Sequence, residues 1–136
     1  MLEQWEAKQL IHLPKVYSHS LSVSLRQGAD EDYAVESDDG TEHFILDVLA
    51  SRRNRRKARF QLRYRRSIVL VRLCTAVTHG NPDGIVLGFP HLHTYREPDH
   101  DKWAKQVDPF NNLEEALGYF CQQINLPLPE IQGGLS

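Results

Sequence analysis

The alternation of apolar and polar residues along the chain predicts a sheet whose strands bury one face. In 58–65, for example, Phe60, Leu62 and Tyr64 alternate with arginines and a glutamine, and successive side chains of a strand point to opposite faces. A nearly continuous apolar run over 67–73 predicts a central strand that is buried on both faces. The segments with strand patterns are 16–25, 33–36, 43–49, 58–65, 67–73, 85–89 and 91–96.

Helical patterns stand at both ends of the chain. Residues 2–11 predict a short amphipathic helix that Pro14 closes, and Asn112 with a carboxylate three residues later is typical of a helix N-terminus. The apolar face expected for this second helix comprises Leu113, Ala116, Leu117, Phe120, Cys121 and Ile124. We therefore predict a single α+β domain over 1–136 with a frayed tail at 131–136. In it, an antiparallel sheet of five to six strands is flanked by a short N-terminal helix and a C-terminal helix.

The composition is that of an ordinary globular protein and narrows the function classes. The 136 residues are 40% hydrophobic and 25% charged, and no run approaches the ~20 apolar residues that span a bilayer. The N-terminus lacks the basic and apolar regions of a secretory signal. Cys74 and Cys121 are too few and too far apart for a disulfide framework. We expect a cytoplasmic protein that has no membrane partner and no cofactor.

The net charge of −2 conceals two segments of opposite charge. Seven acidic residues lie in 30–42, and nine of the sixteen basic residues lie in 52–66 with no acid between them. These basic residues are Arg52, Arg53, Arg55, Arg56, Lys57, Arg59, Arg63, Arg65 and Arg66. Because arginine forms bidentate contacts with phosphate, we predict that this segment binds RNA or another polyanion. One alternative is an edge strand that its positive charge protects from aggregation and that pairs with the acidic segment. The others are a solvated face and a surface that docks an acidic protein.

The segment 89–97 concentrates side chains that perform acid–base chemistry. His91, His93 and Tyr95 alternate, so a strand would point all three to one face, and His79 precedes a nearby turn. Metal-free RNA cleavage needs a base for the 2′-hydroxyl proton, an acid for the leaving 5′-oxygen and a cation for the phosphorane. The candidate catalytic residues are His79, His91, His93, Tyr95 and Arg96, with Arg63 or Arg72 as equal candidates for the cation.

Two other interpretations of the histidines stay open. Imidazoles two residues apart on a strand can chelate a transition metal, which favours a metal enzyme with His79, His91 and His93 as ligands. Alternatively, the histidines are half-buried polar residues whose ring nitrogens bond backbone or carboxylate groups. Cys74 and Cys121 are interpreted as core thiols rather than nucleophiles.

Three motifs in a fixed order give the chain a resemblance to a known family. They are His79-Gly-Asn-Pro-Asp-Gly, Pro90-His-Leu-His-Thr-Tyr-Arg-Glu and Asp101-Lys-Trp-Ala. Together with the strand segments upstream, they resemble an uncharacterised family of small bacterial and prophage proteins over residues 42–104. The resemblance implies no activity, but a prophage setting favours a toxin, a defence factor or an inhibitor of host defence.

The sequence thus predicts an RNA-binding protein, and the preferred reaction is metal-independent RNA cleavage of the toxin or defence type. The alternative is a non-catalytic protein from a mobile element that binds and inhibits a nuclease or a nucleic-acid complex. A protein partner would be an antitoxin in the first case and a nuclease in the second. A histidine-ligated metal enzyme is the third hypothesis.

Overall fold

The computed structural model describes residues 2–19 and 22–132. Its helices are α1 at Gln4–His12 and α2 at Leu113–Gln123. The strands are β1 Lys15–Tyr17, β2 Ser22–Ser24, β3 Asp30–Ser37, β4 His43–Ala50, β5 Ala58–Tyr64, β6 Ile68–Cys74, β7 His79–Gly80, β8 Val86–Leu87, β9 His91–Thr94, β10 Ala104–Gln106 and β11 Glu130–Gln132. These elements confirm the predicted α+β class with an N-terminal and a C-terminal helix.

Seven of the strands form one sheet in which every neighbouring pair is antiparallel. Their order is β1-β3-β4-β5-β6-β9-β10. Strands β7 and β8 form a small antiparallel pair, and β2 and β11 form a parallel pair. The main sheet exceeds the predicted five to six strands. The addition includes β10, which pairs with β9 although its polar sequence has no strand pattern.

One face of the main sheet carries the apolar side chains and packs against the helices. Phe60 and Leu62 of β5 are fully buried, and the ring centre of Phe60 lies 6.1 Å from that of Phe120 in α2. Asn112 caps α2, because its side-chain oxygen accepts a hydrogen bond from the Glu115 backbone N–H at 2.8 Å. Burying each large apolar side chain stabilises the fold by about 1.5–3 kcal/mol. Neither helix of the described residues has the length and apolar character needed to cross a membrane.

A buried lysine joins the C-terminal ends of the two helices. Lys15 donates hydrogen bonds to the backbone carbonyls of Ile11, Leu13 and Ile124 at 2.7, 2.8 and 2.7 Å. The last carbonyls of a helix lack partners within the helix, so Lys15 supplies the missing donors for both α1 and α2. Burial lowers the pKa of this ammonium group to about 7.

The two ends of the chain differ from their predictions. The alternating segment 16–25 was predicted as one strand, but β1 lies at the edge of the main sheet whereas β2 pairs with β11. The predicted frayed tail at 131–136 is wrong at its start, because Ile131 and Gln132 pair with β2. The rest of that tail, 133–136, lies outside the described residues.

Two other predicted strands have different lengths in the structure. The strand predicted over 33–36 is the longer β3, because β4 pairs with all but its last residue, from Leu49 opposite Asp30 to His43 opposite Glu36. The strand predicted over 85–89 shortens to the two residues of β8, which pair only with the equally short β7.

Candidate nucleic-acid interface and histidine cluster

The polar face of the main sheet, opposite the helices, carries two rows of side chains that cross the strands. The first row, from β4 to β10, is Leu49, Arg59, Cys74, His91 and Gln106. The second row is Asp47, Gln61, Arg72, His93 and Ala104. Arg59 and the β9 histidines therefore share one face of the sheet.

The basic loop, residues 51–57 between β4 and β5, is shaped by its own polar side chains. Ser51 Oγ accepts hydrogen bonds from the backbone N–H groups of Arg53 and Asn54 at 3.2 Å each, and Asn54 Oδ1 accepts one from that of Arg56 at 2.9 Å. Serine and asparagine favour such turns because their short side chains reach the neighbouring backbone. The segment between β4 and β5 is therefore a loop. Its exposed basic side chains are Arg52, Arg53, Arg55, Arg56 and Lys57.

Gly28 allows Arg52 to pack closely against the turn before β3. It has a φ of +83°, which L-residues rarely adopt, and a Cβ at this position would lie 2.9 Å from Cγ of Arg52. Glycine tolerates both this backbone conformation and so close an approach. The position of Arg52 is therefore set by two segments of the chain, its own loop and this turn.

A cavity of about 580 Å³ lies between the basic loop and the end of β6. Arg52, Lys57 and Arg59 line it together with Cys74, and Asp30 is the one carboxylate among its lining residues. Three cations against one carboxylate leave the cavity with a net positive charge. Such a cavity suits an anionic ligand.

At the other end of β5, Arg63 and Arg65 have partners within the protein. Arg63 donates to both carboxylate oxygens of Asp47, at 2.6 and 2.8 Å, and lies 3.8 Å from Asp32. Burial alone would raise the pKa of Asp47, but the hydrogen bonds from Arg63 help to lower it overall. Arg65 packs over the ring of Tyr64, 4.9 Å from its centre.

The nine basic residues therefore do not form one continuous strip. Arg65 and Arg66 follow the last residue of β5, at the end of the strand far from Arg59. Within the described part of the chain, salt bridges occur at Arg63 and Arg72, whereas the residues of the basic loop, Arg59, Arg65 and Arg66 have none. The alternative of a charged edge strand is wrong, because β5 lies between β4 and β6 inside the sheet. Pairing of the basic segment with the acidic segment occurs at Arg63.

His79, His91 and His93 form a compact cluster on the polar face. The ring centres of His91 and His93 lie 4.8 Å apart, and that of His79 lies 5.4 Å from His91 and 4.4 Å from His93. Both β9 histidines are only 1% exposed. The structure thus brings together three of the predicted site residues and buries two of them.

The turn motif that begins at Asn81 brings His79 onto β9. The side-chain amide of Asn81 donates to the Ala104 carbonyl and accepts from the Ala104 N–H, both at 2.9 Å. Gly84 closes the predicted turn by donating its N–H to the Asn81 carbonyl at 2.9 Å. The Nε2 atom of His79 is hydrogen-bonded to the Lys102 carbonyl at 2.5 Å. These contacts give the motif a structural role in assembling the cluster.

Burial favours the neutral form of both β9 imidazoles. It lowers the pKa of His93 to about 4, with the charge of Arg72 acting in the same direction, and it also lowers the pKa of His91. His93 Nδ1 lies 2.7 Å from the Asp101 carbonyl oxygen, so this nitrogen carries a proton and donates it. Nδ1 of His91 is buried and has no hydrogen-bond partner among residues 2–19 and 22–132.

Cys74 lies close enough to the β9 histidines to share an ion with them. Its thiol and one ring nitrogen each of His91 and His93 lie within 4.8 Å of one another, and all three residues are buried. The sequence predicts His79 as the third ligand of such a group and favours a core thiol at Cys74. The pairing of Cys74 with His91 across β6 and β9 is the missing signal, since it requires knowledge of the strand order.

Tyr95 and Arg96 do not join the histidine cluster. The strand β9 ends before Tyr95, whose hydroxyl donates to the Leu2 carbonyl at 2.6 Å within the hydrophobic core. Arg96 packs over the ring of Trp103, 4.0 Å from its centre. The predicted alternation therefore stops with the strand, and neither residue lies where acid–base chemistry at the histidines would need it.

Arg72, one of the equal candidates for the cation, lies beside the histidines. Its guanidinium approaches Nδ1 of His93 at 3.5 Å and donates to the Asp101 carboxylate at 2.8 Å. The carboxylate balances the charge of Arg72. This cation is therefore already paired within the protein.

An exposed aromatic residue lies near the basic loop. Phe89 is 53% exposed and lines a groove of about 310 Å³ together with Asn54, Arg56 and Phe110. Aromatic rings next to cations are typical of surfaces that bind single-stranded nucleic acids. The sequence gives no functional signal at Phe89, because its exposure beside the loop depends on the fold.

Comparison with known proteins places the chain in a family but assigns it no activity. No curated protein and no solved structure matches it. A family model matches residues 2–126, which is most of the chain, and this agrees with the expectation of an uncharacterised family. The chain belongs to DUF6978, a family of unknown function.

Proposed function

We propose that the protein binds single-stranded RNA with the basic loop and the adjacent end of the polar face. The observation that carries the proposal is a group of six exposed cations at one end of the sheet, none with an ion pair in the described structure. They are Arg52, Arg53, Arg55, Arg56, Lys57 and Arg59. Contacts between such cations and phosphates release counterions, which drives nucleic-acid binding.

The shape of this surface supports a single strand rather than a duplex. Phe89 and Arg56 line the same groove, and a base stacked on an exposed ring needs to be unpaired. The neighbouring cavity holds Arg52, Lys57 and Arg59, which suits a phosphate of the same strand. A stacking ring and a phosphate cavity side by side match the alternation of base and phosphate along a strand.

The burial of His91 and His93 argues against their use in metal-independent RNA cleavage. Each is 1% exposed, whereas a general base must come within hydrogen-bond reach of the ribose 2′-hydroxyl. The proposal is therefore binding without cleavage by this pair. Labelled RNA incubated with the protein in EDTA should stay intact on a denaturing gel.

The experiment that tests the proposal is fluorescence anisotropy with a labelled single-stranded RNA of mixed sequence. The variant Arg52→Gln/Arg59→Gln should weaken binding roughly 5- to 30-fold, because each exposed ion pair contributes up to about 1 kcal/mol. The matched control is Arg65→Gln/Arg66→Gln, which removes the same charge at the far end of β5. This control should bind as the wild type does.

Other ligands in the same assay decide the alternatives. Duplex RNA and polyglutamate should compete more weakly than the RNA itself. Stronger competition by polyglutamate would contradict the proposal in favour of docking an acidic protein. Equal loss of affinity in the two double variants would also contradict it, since binding would then depend on total charge alone.

A further inference from the structure

We propose that Cys74, His91 and His93 bind one transition-metal ion of the Zn²⁺ class, independently of RNA binding. One potential ligand atom from each residue lies within 4.8 Å of the others. The ligand atoms of one tetrahedral ion lie about 3.3–3.6 Å apart, given bond lengths of roughly 2.0–2.3 Å. Small side-chain movements would therefore close this cluster on an ion.

The ligand positions are fixed by the central part of the sheet. Cys74 of β6 is the direct cross-strand partner of His91 in β9. His93 follows two residues later on the same strand, so both imidazoles leave the sheet on the polar face. Sites built on regular elements hold their geometry better than sites built on loops.

The hydrogen bonds of the two histidines leave nitrogens available for a metal. Nδ1 of His93 donates to the Asp101 carbonyl at 2.7 Å, which leaves Nε2 with a free lone pair. Ligating histidines usually donate their other ring nitrogen to such an acceptor. The buried Nδ1 of His91 has no hydrogen-bond partner within the described ranges. A buried polar atom without a partner destabilises the folded protein, and an ion at this atom would supply the missing partner.

The charges around the cluster are compatible with a cation. Two guanidinium groups lie near the cluster. The ion pair of Arg72 with Asp101 at 2.8 Å balances the charge of Arg72. The other group, that of Arg59, belongs to the cross-strand partner of Cys74 and favours the thiolate that an ion would bind. A thiolate with two imidazoles selects Zn²⁺ and similar ions over Mg²⁺ and Ca²⁺, which prefer oxygen ligands. The chemistry of the ligands therefore identifies the class of ion.

The cluster lies at the wall of the cationic cavity, because Cys74 belongs to the cluster and also lines the cavity. His79 is not among the three residues whose ligand atoms lie within 4.8 Å of one another. The protein thus supplies three ligands, which leaves a fourth position for water or an anion in the manner of catalytic zinc sites.

Titration of the full-length, reduced and metal-stripped protein with Co²⁺ tests the proposal. The wild type should bind one equivalent and develop a thiolate-to-cobalt absorption band in the near ultraviolet, with tetrahedral bands in the visible. Cys74→Ser should lose the near-ultraviolet band, and His91→Ala should weaken binding roughly 100-fold or more. Cys121→Ser is the matched control, because it removes the other buried cysteine, and its spectrum should equal that of the wild type.

Thermal unfolding with and without Zn²⁺ provides a second readout. Each variant is compared with itself, so differences in stability between variants do not affect the result. Zn²⁺ should raise the unfolding midpoint of the wild type and of Cys121→Ser, since an ion that binds only the folded state stabilises it. Absence of cobalt absorption in the wild type would overturn the proposal. Retention of the near-ultraviolet band in Cys74→Ser would overturn it equally. Neither result depends on whether the protein binds RNA.

Discussion

Strand β5 places two arginines on the same face of the sheet, four residues apart, in opposite environments. Arg63 is 23% exposed and makes a two-point contact with Asp47, which is 19% exposed. Arg59 is exposed, has no salt bridge in the described ranges and lines the cationic cavity beside Arg52. The residue type and the charge are the same at the two positions, but only Arg59 has a charge that is available to a ligand.

The difference between the two arginines shows that a basic side chain can bind a polyanion only where the fold leaves its charge without a carboxylate partner. An arginine held by a partly buried carboxylate stabilises the protein that contains it. An arginine surrounded by other cations repels them, which destabilises the unbound protein. A bound polyanion removes this repulsion, so the arginine favours binding. The same reasoning separates Arg72, which pairs with Asp101 at 2.8 Å, from the residues of the basic loop.

The most direct way to break the comparison is to remove each β5 arginine separately. Arg63→Met should lower the free energy of unfolding by about 2–3 kcal/mol, because it leaves Asp47 partly buried without its partner. Arg59→Met should change it by less than about 0.5 kcal/mol but should weaken RNA binding. Urea unfolding and anisotropy measured on both variants check the two effects. The comparison fails if both variants lose stability to the same extent.

Removing the exposed aromatic ring should have a smaller effect, and only on binding. Phe89→Ala should weaken RNA binding by about 1–2 kcal/mol, roughly 5- to 30-fold, because stacking of one base on an aromatic ring contributes this much. Ile85→Ala is the control, since Ile85 is also exposed, at 59%, but has no aromatic ring. Equal losses in the two variants would mean that Phe89 contributes only apolar area.

The pH dependence of stability tests the ion pair between Arg63 and Asp47. Burial by itself raises the pKa of Asp47, but hydrogen bonds from groups including Arg63 hold it below the ordinary value of 3.8. A carboxyl with a lower pKa in the folded state stabilises the protein above its unfolded pKa. That contribution is lost as the pH falls through the folded pKa. Asp32 has the opposite effect on the pH dependence of stability, because a hydrogen bond with Asp47 raises the pKa of Asp32.

The Asp47→Asn variant isolates this contribution. It should be less stable than the wild type by about 1 kcal/mol at pH 7, since asparagine keeps some hydrogen bonds but loses the charge. The difference should shrink as the pH falls below the unfolded-state pKa of about 3.9 and through the lower pKa of the folded wild-type carboxyl. Urea unfolding from pH 7 to pH 3 measures it. A difference that does not change with pH would show that the charge of Asp47 is unimportant.

The sequence predicts the parts of this fold that depend on local patterns. Alternation over 58–65 identifies β5 and its core face, and the Asn112 cap identifies the start of α2. The 16–25 segment fails because alternation shows which face of a strand is buried but not which strand it pairs with. Here β2 pairs with β11, more than one hundred residues away.

The candidate site could be predicted only in part, for the same reason. His79, His91 and His93 were grouped from their spacing, and the structure brings them together. Cys74 could not be added, because its position depends on the pairing of β6 with β9. The interpretation of the histidines as half-buried residues bonded to the backbone agrees with the bond of His93 to the Asp101 carbonyl. Their nearly complete burial could not be predicted, since it depends on segments held over them by contacts such as that of Asn81 with Ala104.

The salt dependence of RNA binding tests most directly whether the unpaired cations at one end of β5 form the binding surface. The slope of log affinity against log salt should be smaller by about 1.4 in Arg52→Gln/Arg59→Gln, because each phosphate contact on a single strand contributes about 0.7. Arg65→Gln/Arg66→Gln should keep the wild-type slope. Equal slopes in the wild type and both variants would contradict the account.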